Sequence, residues 1–161
     1  MKGNPKVIKV LQEALKAELT AINQYFVHAE MCENWGYKRL AALTKKEAIG
    51  EMKHAEALIA RILFLDHAPN MSEYFKINVG DSVQKQFEND LDLEKGAVQR
   101  LNEGIRLCLE QGDSGSRELL EHILVDEEEH IDFLEAQLHM IGEMGLGIYL
   151  SEQQAEDSSS S

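Results

Sequence analysis

Two short segments of this sequence carry side chains that could bind metal ions. Glu51 and His54 are three residues apart, and Glu127 and His130 repeat that spacing. Residues three apart on a helix lie on one face, so each pair could bind one ion. Carboxylate oxygen and imidazole nitrogen together suit iron or manganese, and zinc could also bind. The two segments therefore predict metal chemistry.

A further glutamate precedes each pair by 33 positions, Glu18 before Glu51 and Glu94 before Glu127. The first set of three residues recurs as a whole 76 positions later. A solvated helix face or a core salt bridge would explain any one of these glutamates, but it explains six residues in one repeat poorly. Burying four carboxylates without cations costs several kcal/mol each, whereas two divalent ions balance their charge. We expect a two-metal site formed by Glu18, Glu51, His54, Glu94, Glu127 and His130.

The candidate ligands must be positioned by long helices, because apolar residues recur around them at spacings of three and four. We expect helices at residues 5–34, 37–66, 82–110 and 116–143, with every candidate ligand on an apolar stripe. Short turns within each pair of helices favour antiparallel packing. Residues 67–80 contain Pro69, Asn70 and Gly80 and predict a long connection between helices two and three. The fold class is all-α, a four-helix bundle with a long crossover.

The C-terminal part of the chain predicts one further helix and a tail. Residues 146–154 include Leu146, Ile148, Tyr149 and Leu150, which need a surface to pack against. Residues 156–161, Glu-Asp and four serines, are typical of disorder. The sequence therefore predicts one domain over residues 1–155, followed by the tail.

The composition of the chain indicates which kinds of partner it can bind and where in the cell it is expected. The formal net charge of −13 argues against nucleic acid, which is bound through Lys and Arg; it fits either the attraction of cations or plain solubility. No segment approaches the roughly 20 apolar residues needed to cross a bilayer, so no membrane association is expected. The N-terminus lacks the apolar run of a secretory signal, and Cys32 and Cys108 fit buried free thiols. We expect a cytoplasmic protein.

The sequence resembles the bacterioferritins, the haem-containing members of the ferritin family, over about residues 1–150. The most characteristic segments are residues 21–26 (Ala-Ile-Asn-Gln-Tyr-Phe), 51–54 (Glu-Met-Lys-His), 61–65 and 126–132. The resemblance implies a ferritin-like bundle and an iron-storage protein with a ferroxidase centre. In that centre Glu51 and Glu127 would bridge two irons, and His54 and His130 would each bind one. Glu18 and Glu94 would be terminal ligands.

The same resemblance implies a haem b site and a large assembly. Met52 is one residue beyond Glu51, which turns it about 100° away from the bundle interior. By itself such a methionine is usually an interface hydrophobe. In bacterioferritins a methionine here binds haem iron, one from each of two subunits, and Leu19, Asn23, Phe26 and Ile49 could line that pocket. The family further implies a cage of 24 subunits built from haem-bridged dimers, with a ferredoxin-like electron donor.

Some positions leave alternatives open. Tyr25 lies seven residues after Glu18 on the same face and could reach the centre as a hydrogen-bonding or redox partner. Lys46 and Gly50 stand where bacterioferritins often carry a histidine and an aspartate of an inner-surface iron site. A di-iron peroxidase like rubrerythrin is one alternative, although the chain has no Cys-x-x-Cys pair. A scaffold subunit in a cage mixed with a related subunit is another.

Overall fold

The computed structural model describes residues 1–155, which form four long helices and a short fifth. These are α1 (Pro5–Trp35), α2 (Lys38–Phe64), α3 (Val83–Glu110), α4 (Ser114–Met144) and α5 (Leu146–Ser151). No residue from 1 to 155 lies in a strand, so the all-α prediction is confirmed. The tail predicted at 156–161 lies outside the described residues.

The long helices pack in two pairs, α1 along α2 and α3 along α4. Between the pairs, α1 and α3 form the larger interface, whereas α2 and α4 touch at few positions. Two or three residues join the helices of each pair, and a long connection without regular secondary structure runs from α2 to α3. This connectivity confirms the predicted bundle with a crossover.

Local capping determines where the helices begin and end. Pro5 occupies the first turn of α1 and Gly36 ends that helix at φ 90°, a value that favours glycine. The prediction that helix four begins at Ser116 was two residues too late, because Asp113 is the capping residue and accepts a hydrogen bond from the Ser116 amide at 3.0 Å. The fifth helix also ends earlier than predicted, at Ser151. Beyond it the backbone turns back, and the Gln153 carbonyl accepts a hydrogen bond from the Arg39 amide at 3.1 Å.

One polar face of α1 holds the crossover in place. Four side chains at intervals of eight, four and four residues accept hydrogen bonds from successive backbone amides of the crossover. The pairs are Gln12 with Asn70, Thr20 with Phe75, Gln24 with Asn78, and His28 with Gly80, all at 2.9–3.0 Å. An extended connection has no regular amide partners of its own, so this face satisfies the buried amide of Gly80 and three partly buried ones.

Two apolar clusters pack the bundle on either side of its middle. The first draws on the beginning of α1 and the end of α2, with Leu11, Leu58 and Leu120 fully buried. The second joins the other ends of these helices to α5 and includes Leu40 and Tyr149. Along α2, α3 and α4 the predicted metal ligands fall between the two clusters, and on α1 Glu18 lies at the edge of the first cluster, next to Leu19. No helix within residues 1–155 has the length and apolar character to span a membrane.

Candidate metal centre

The structure brings all six candidate ligands together in the middle of the bundle. Each long helix contributes one glutamate, and Glu18, Glu51, Glu94 and Glu127 are each at most 4% exposed. His54 and His130 follow Glu51 and Glu127 by one turn, so they lie beside them. The helical periodicity that placed these residues on apolar stripes therefore aims them at a common point.

Their ligand atoms form two overlapping sets. Glu18, Glu51, His54 and Glu127 make up one, and Glu51, Glu94, Glu127 and His130 the other, each with its ligand atoms within 4.8 Å of one another. Glu51 and Glu127 belong to both sets. Two carboxylates shared between two groups of this size could bridge a pair of metal ions, with one histidine and one further glutamate for each ion.

Several atoms inside the site lack the hydrogen-bond partners that buried polar atoms normally have. Among the described residues these include Glu18 Oε2, Glu94 Oε2, both carboxylate oxygens of Glu127, and His130 Nδ1. His54 Nδ1 faces the carboxylates as well, 3.0 Å from Glu127 Oε1 and 3.7 Å from Glu18 Oε2. Unpartnered donor atoms of oxygen and imidazole type, converging on one buried point, fit a pair of divalent cations.

Burial also shifts the protonation of the site. It raises the pKa of Glu18 and Glu51 above the ordinary value of 4.5, and for Glu51 the nearby Glu18 carboxylate adds to the effect. For His54, burial acts to lower the pKa, but the nearby Glu127 and Glu18 carboxylates outweigh it and raise the pKa to about 11. Protons therefore balance the buried charge when no metal is bound, and metal binding would displace them.

Tyr25 reaches the centre from α1, as its position on the Glu18 face suggested. Its side chain is fully buried, and its hydroxyl donates a hydrogen bond to Glu94 of α3 rather than to Glu18. Burial first, and then the nearby charge of Asp90, raise the pKa of Tyr25 well above its ordinary value of 10. The hydroxyl stays protonated and orients the Glu94 carboxylate.

Two contacts around the histidines were missed by sequence reasoning. His54 Nε2 lies 2.7 Å from Asp126 Oδ2, and His130 Nε2 lies 3.7 Å from Glu47 Oε2. Asp126 directly precedes Glu127, so its place beside the ligands was visible in the sequence, but its partner on another helix was not. Both contacts lie at a cavity of about 290 Å³ between α2 and α4, which Lys46 and Gly50 also line. The candidate ligands Glu51, His54 and His130 are reached through this cavity.

Comparison with known proteins agrees with the fold. Residues 8–144 match the family model described as a ferritin-like domain. The bacterioferritin of Mycobacterium leprae (strain TN) is 50% identical over 149 residues, 92% of this chain and 94% of that protein. The bacterioferritin of Streptomyces coelicolor is 47% identical over 151 residues (94% of this chain, 90% of the relative), and that of Brucella melitensis 43% over 145 residues (90% of each). The chain therefore belongs to the bacterioferritin branch of the ferritin-like family.

Proposed function

We propose that this chain oxidises Fe(II) and stores the product as Fe(III) mineral inside a hollow assembly. The observation that carries the proposal is the pair of buried ligand sets that share Glu51 and Glu127. Four carboxylates match the charge of two Fe(II) ions, and the orphaned oxygens supply ligand atoms that nothing else in the described chain satisfies. Membership of the bacterioferritins supports storage of iron over a catalytic use alone.

Each ligand has a distinct task in this proposal. Glu51 and Glu127 would be shared by the two ions, while Glu18 with His54 and Glu94 with His130 would each complete the ligands of one ion. When bound, the iron would supply the electrons: two Fe(II) ions would lose one electron each and become Fe(III), and the two electrons with two protons would reduce dioxygen to hydrogen peroxide, or hydrogen peroxide to water. Tyr25 holds the Glu94 carboxylate through its hydroxyl, which keeps that ligand oriented as the charge of the ion changes.

The cavity between α2 and α4 offers the substrate a path to the ligands. Besides the candidate ligands, Glu47, Asp126 and Glu129 line it together with Lys46, so three further acidic side chains accompany one lysine. Negative charge at a cleft raises the local concentration of cations. Lys46 and Gly50 provide no metal ligand here, so in this proposal Fe(II) passes to the centre without a separate inner-surface site on α2.

Haem binding at Met52 and assembly into a cage form the second part of the proposal. Met52 is 55% exposed, Ile49 one turn before it on α2 is exposed as well, and so is Phe26 of α1, which supports contact of these apolar side chains with a partner subunit. Of the other residues expected to line the haem pocket, Asn23 is exposed and Leu19 is buried. We propose a cytoplasmic cage of 24 subunits, formed of dimers with one haem b between two Met52 side chains, which receives electrons for iron release from a ferredoxin-like protein.

Aerobic loading of the purified assembly with Fe(II), followed by measurement of the iron retained per subunit, tests the proposal. Storage predicts retention far above about two irons per subunit, the capacity of one two-metal centre. Retention that stops near two, accompanied by turnover of hydrogen peroxide, would instead identify a di-iron peroxidase. Mass spectrometry of the native assembly would reveal any second kind of subunit.

A further inference from the structure

The two histidines of the centre are supported unequally on the side that faces away from the carboxylates. His54 Nε2 is 2.7 Å from Asp126 Oδ2, a normal distance for a hydrogen bond to a carboxylate. The nearest acidic oxygen to His130 Nε2 is Glu47 Oε2 at 3.7 Å, which is too far for a hydrogen bond. His130 is instead held by rings, with Tyr25 edge-on at 5.2 Å and Phe133 stacked at 6.2 Å between centroids.

The internal repeat explains this difference. The 76-residue offset that relates the ligand sets pairs His54 with His130, and it pairs Asp126 with position 50. Position 50 is Gly50, which has no side chain to reach His130. Gly50 and His130 line the same cavity, so the site of the missing partner is open to it. One half of the centre therefore has a carboxylate behind its histidine, and the other half lacks it.

We propose that Asp126 is a positioning residue that makes the His54 half of the centre the tighter of its two metal sites. The inference rests on the proposed two-metal centre. A carboxylate that accepts the Nε2 proton of His54 leaves the Nδ1 lone pair directed at Glu18, Glu51 and Glu127. It also strengthens that nitrogen as a donor. Loss of such a partner typically lowers metal affinity by about 10–100-fold.

Charge alone is the competing explanation, because Asp126 is 42% exposed at the mouth of the cavity and would attract any cation. Glu129 provides the matched comparison. It lines the same cavity on the same helix, and no contact with His54 is found for it within the described chain. Removing either side chain deletes one negative charge, but only the loss of Asp126 deletes the hydrogen bond.

Zinc occupancy in crystals of the metal-free assembly tests the inference directly. Crystals given one equivalent of Zn(II) per subunit are measured by anomalous scattering, and a Zn(II) titration of each variant in solution gives the affinities. We expect the His54 half to fill first in the unmodified protein. Asp126→Ala should weaken that half by about 10–100-fold, while Glu129→Ala should leave the order of filling unchanged.

A gain-of-contact variant keeps the test independent of any loss of stability. A Cβ added at Gly50 meets no atom within 4 Å, so a side chain fits there. Gly50→Asp should strengthen zinc binding at the His130 half and reduce the difference between the two halves. Gly50→Ala is the control, because it adds the same Cβ and helix propensity without a carboxylate.

The possible results separate this inference from the proposed function. Equal filling of both halves in the unmodified protein, or an Asp126→Ala variant that behaves like Glu129→Ala, would overturn the role of Asp126 while two bound zinc ions still supported the centre. If the unmodified protein bound no zinc at the six residues, both the inference and the proposed two-metal centre would fail.

Discussion

At the scale of single residues, Glu51 combines the features expected of a ligand shared by two metal ions. It belongs to both ligand sets, lies one turn before His54, and is almost completely buried. The same surroundings that suit a bridging ligand also raise its pKa, since burial and neighbouring carboxylates disfavour its charge. A residue chosen only for packing at this position would be a leucine. The Glu51 carboxylate therefore lowers the stability of the metal-free fold compared with an apolar side chain at the same position.

The terminal ligands give the first prediction. Glu94→Ala and His130→Ala each remove one ligand of the second set but leave the apolar clusters untouched. We expect both variants to assemble. The initial rate of Fe(II) oxidation should fall by more than about 10–100-fold, the typical effect of losing a residue that only hydrogen-bonds a metal ligand. Stopped-flow absorbance of Fe(III) formation measures the rate. Glu128→Ala is the control, since Glu128 is exposed on α4 and does not line the cavity that leads to the ligands. An unchanged rate in either ligand variant would contradict the site.

Met52 gives the second prediction. Met52→Ala should abolish haem binding while the assembly keeps its size, because the substitution lies on an exposed face of α2 and removes only the thioether ligand. Haem absorbance per subunit and size-exclusion chromatography measure the two properties. Met71→Ala is a matched control, since Met71 is also an exposed methionine but lies in the crossover. Full haem absorbance in Met52→Ala would place the ligand elsewhere.

At the scale of elements, the start of α4 depends on one cluster of side chains. Asp113 accepts hydrogen bonds from the Ser116 amide and hydroxyl, and Arg61 of α2 donates to Asp113 at 2.9 Å. Burial acts to raise the pKa of Asp113, but the bonds from Ser116 and the charge of Arg61 outweigh it and lower the pKa below 3.8. The cluster thus caps α4 and ties it to α2 near the first apolar cluster.

This cluster gives the third prediction, which depends on pH. Asp113→Ala should lower the free energy of unfolding by about 0.5–2 kcal/mol at neutral pH. Because the folded pKa of Asp113 is lowered, its contribution is present above pH 3.8 and is lost as pH falls through the folded value. Denaturant unfolding of the metal-free protein at several pH values should show the difference shrinking in acid. Asp113→Asn keeps a capping oxygen but carries no charge, so we expect a smaller loss that also shrinks in acid. A loss equal to that of Asp113→Ala would contradict the role of the capping oxygen, and no loss at all would contradict the role of the charge.

At the scale of the whole molecule, two apolar clusters carry the stability that the polar centre between them reduces. The centre concentrates four buried carboxylates whose oxygens are in part unpartnered within the described chain. Metal ions that bind only the folded protein stabilise it by mass action, by about 2.7 kcal/mol at 100 times the dissociation constant. The folded bundle is therefore coupled to the ions it binds.

Glu51→Gln gives the fourth prediction. A group whose folded pKa is raised contributes stability below its ordinary value of 4.5 and loses that contribution as pH rises. At pH 7 the neutral amide removes this penalty, so the metal-free variant should unfold at a higher temperature than the unmodified protein, by roughly 2–4 °C for each kcal/mol gained.

We expect bound zinc to make the unmodified protein more stable than Glu51→Gln, the reverse of the order without metal. Saturating Zn(II) should raise the unfolding temperature of the unmodified protein more than that of Glu51→Gln, because the variant loses a ligand shared by both sets. Differential scanning calorimetry at one scan rate measures all four states. A variant that is less stable than the unmodified protein without metal, yet gains as much from zinc, would contradict this account of the centre.

Much of this molecule was determined by the sequence alone, because helical periodicity is a local property. A residue's distance from its neighbours on the same helix decides which face it occupies, so the spacing of Glu18, Glu51 and Glu94 from the apolar residues of their own helices predicted their orientation without any knowledge of the packing. The repeat at 76 residues, the short turns and the crossover similarly predicted the all-α bundle. The capping cluster at Asp113 was visible only in part, and helix four was predicted to begin two residues late.

Contacts between helices depended on the tertiary structure, because they join residues with no fixed spacing in the sequence. Tyr25 shares a face with Glu18, yet because α1 packs against α3, its hydroxyl donates a hydrogen bond to Glu94. Asp126 finds His54 on another helix, whereas Gly50 offers nothing to His130. The repeat predicts two similar halves of the centre. Their unequal support arises from side chains across α2 and α4, whose distances only the packed bundle determines.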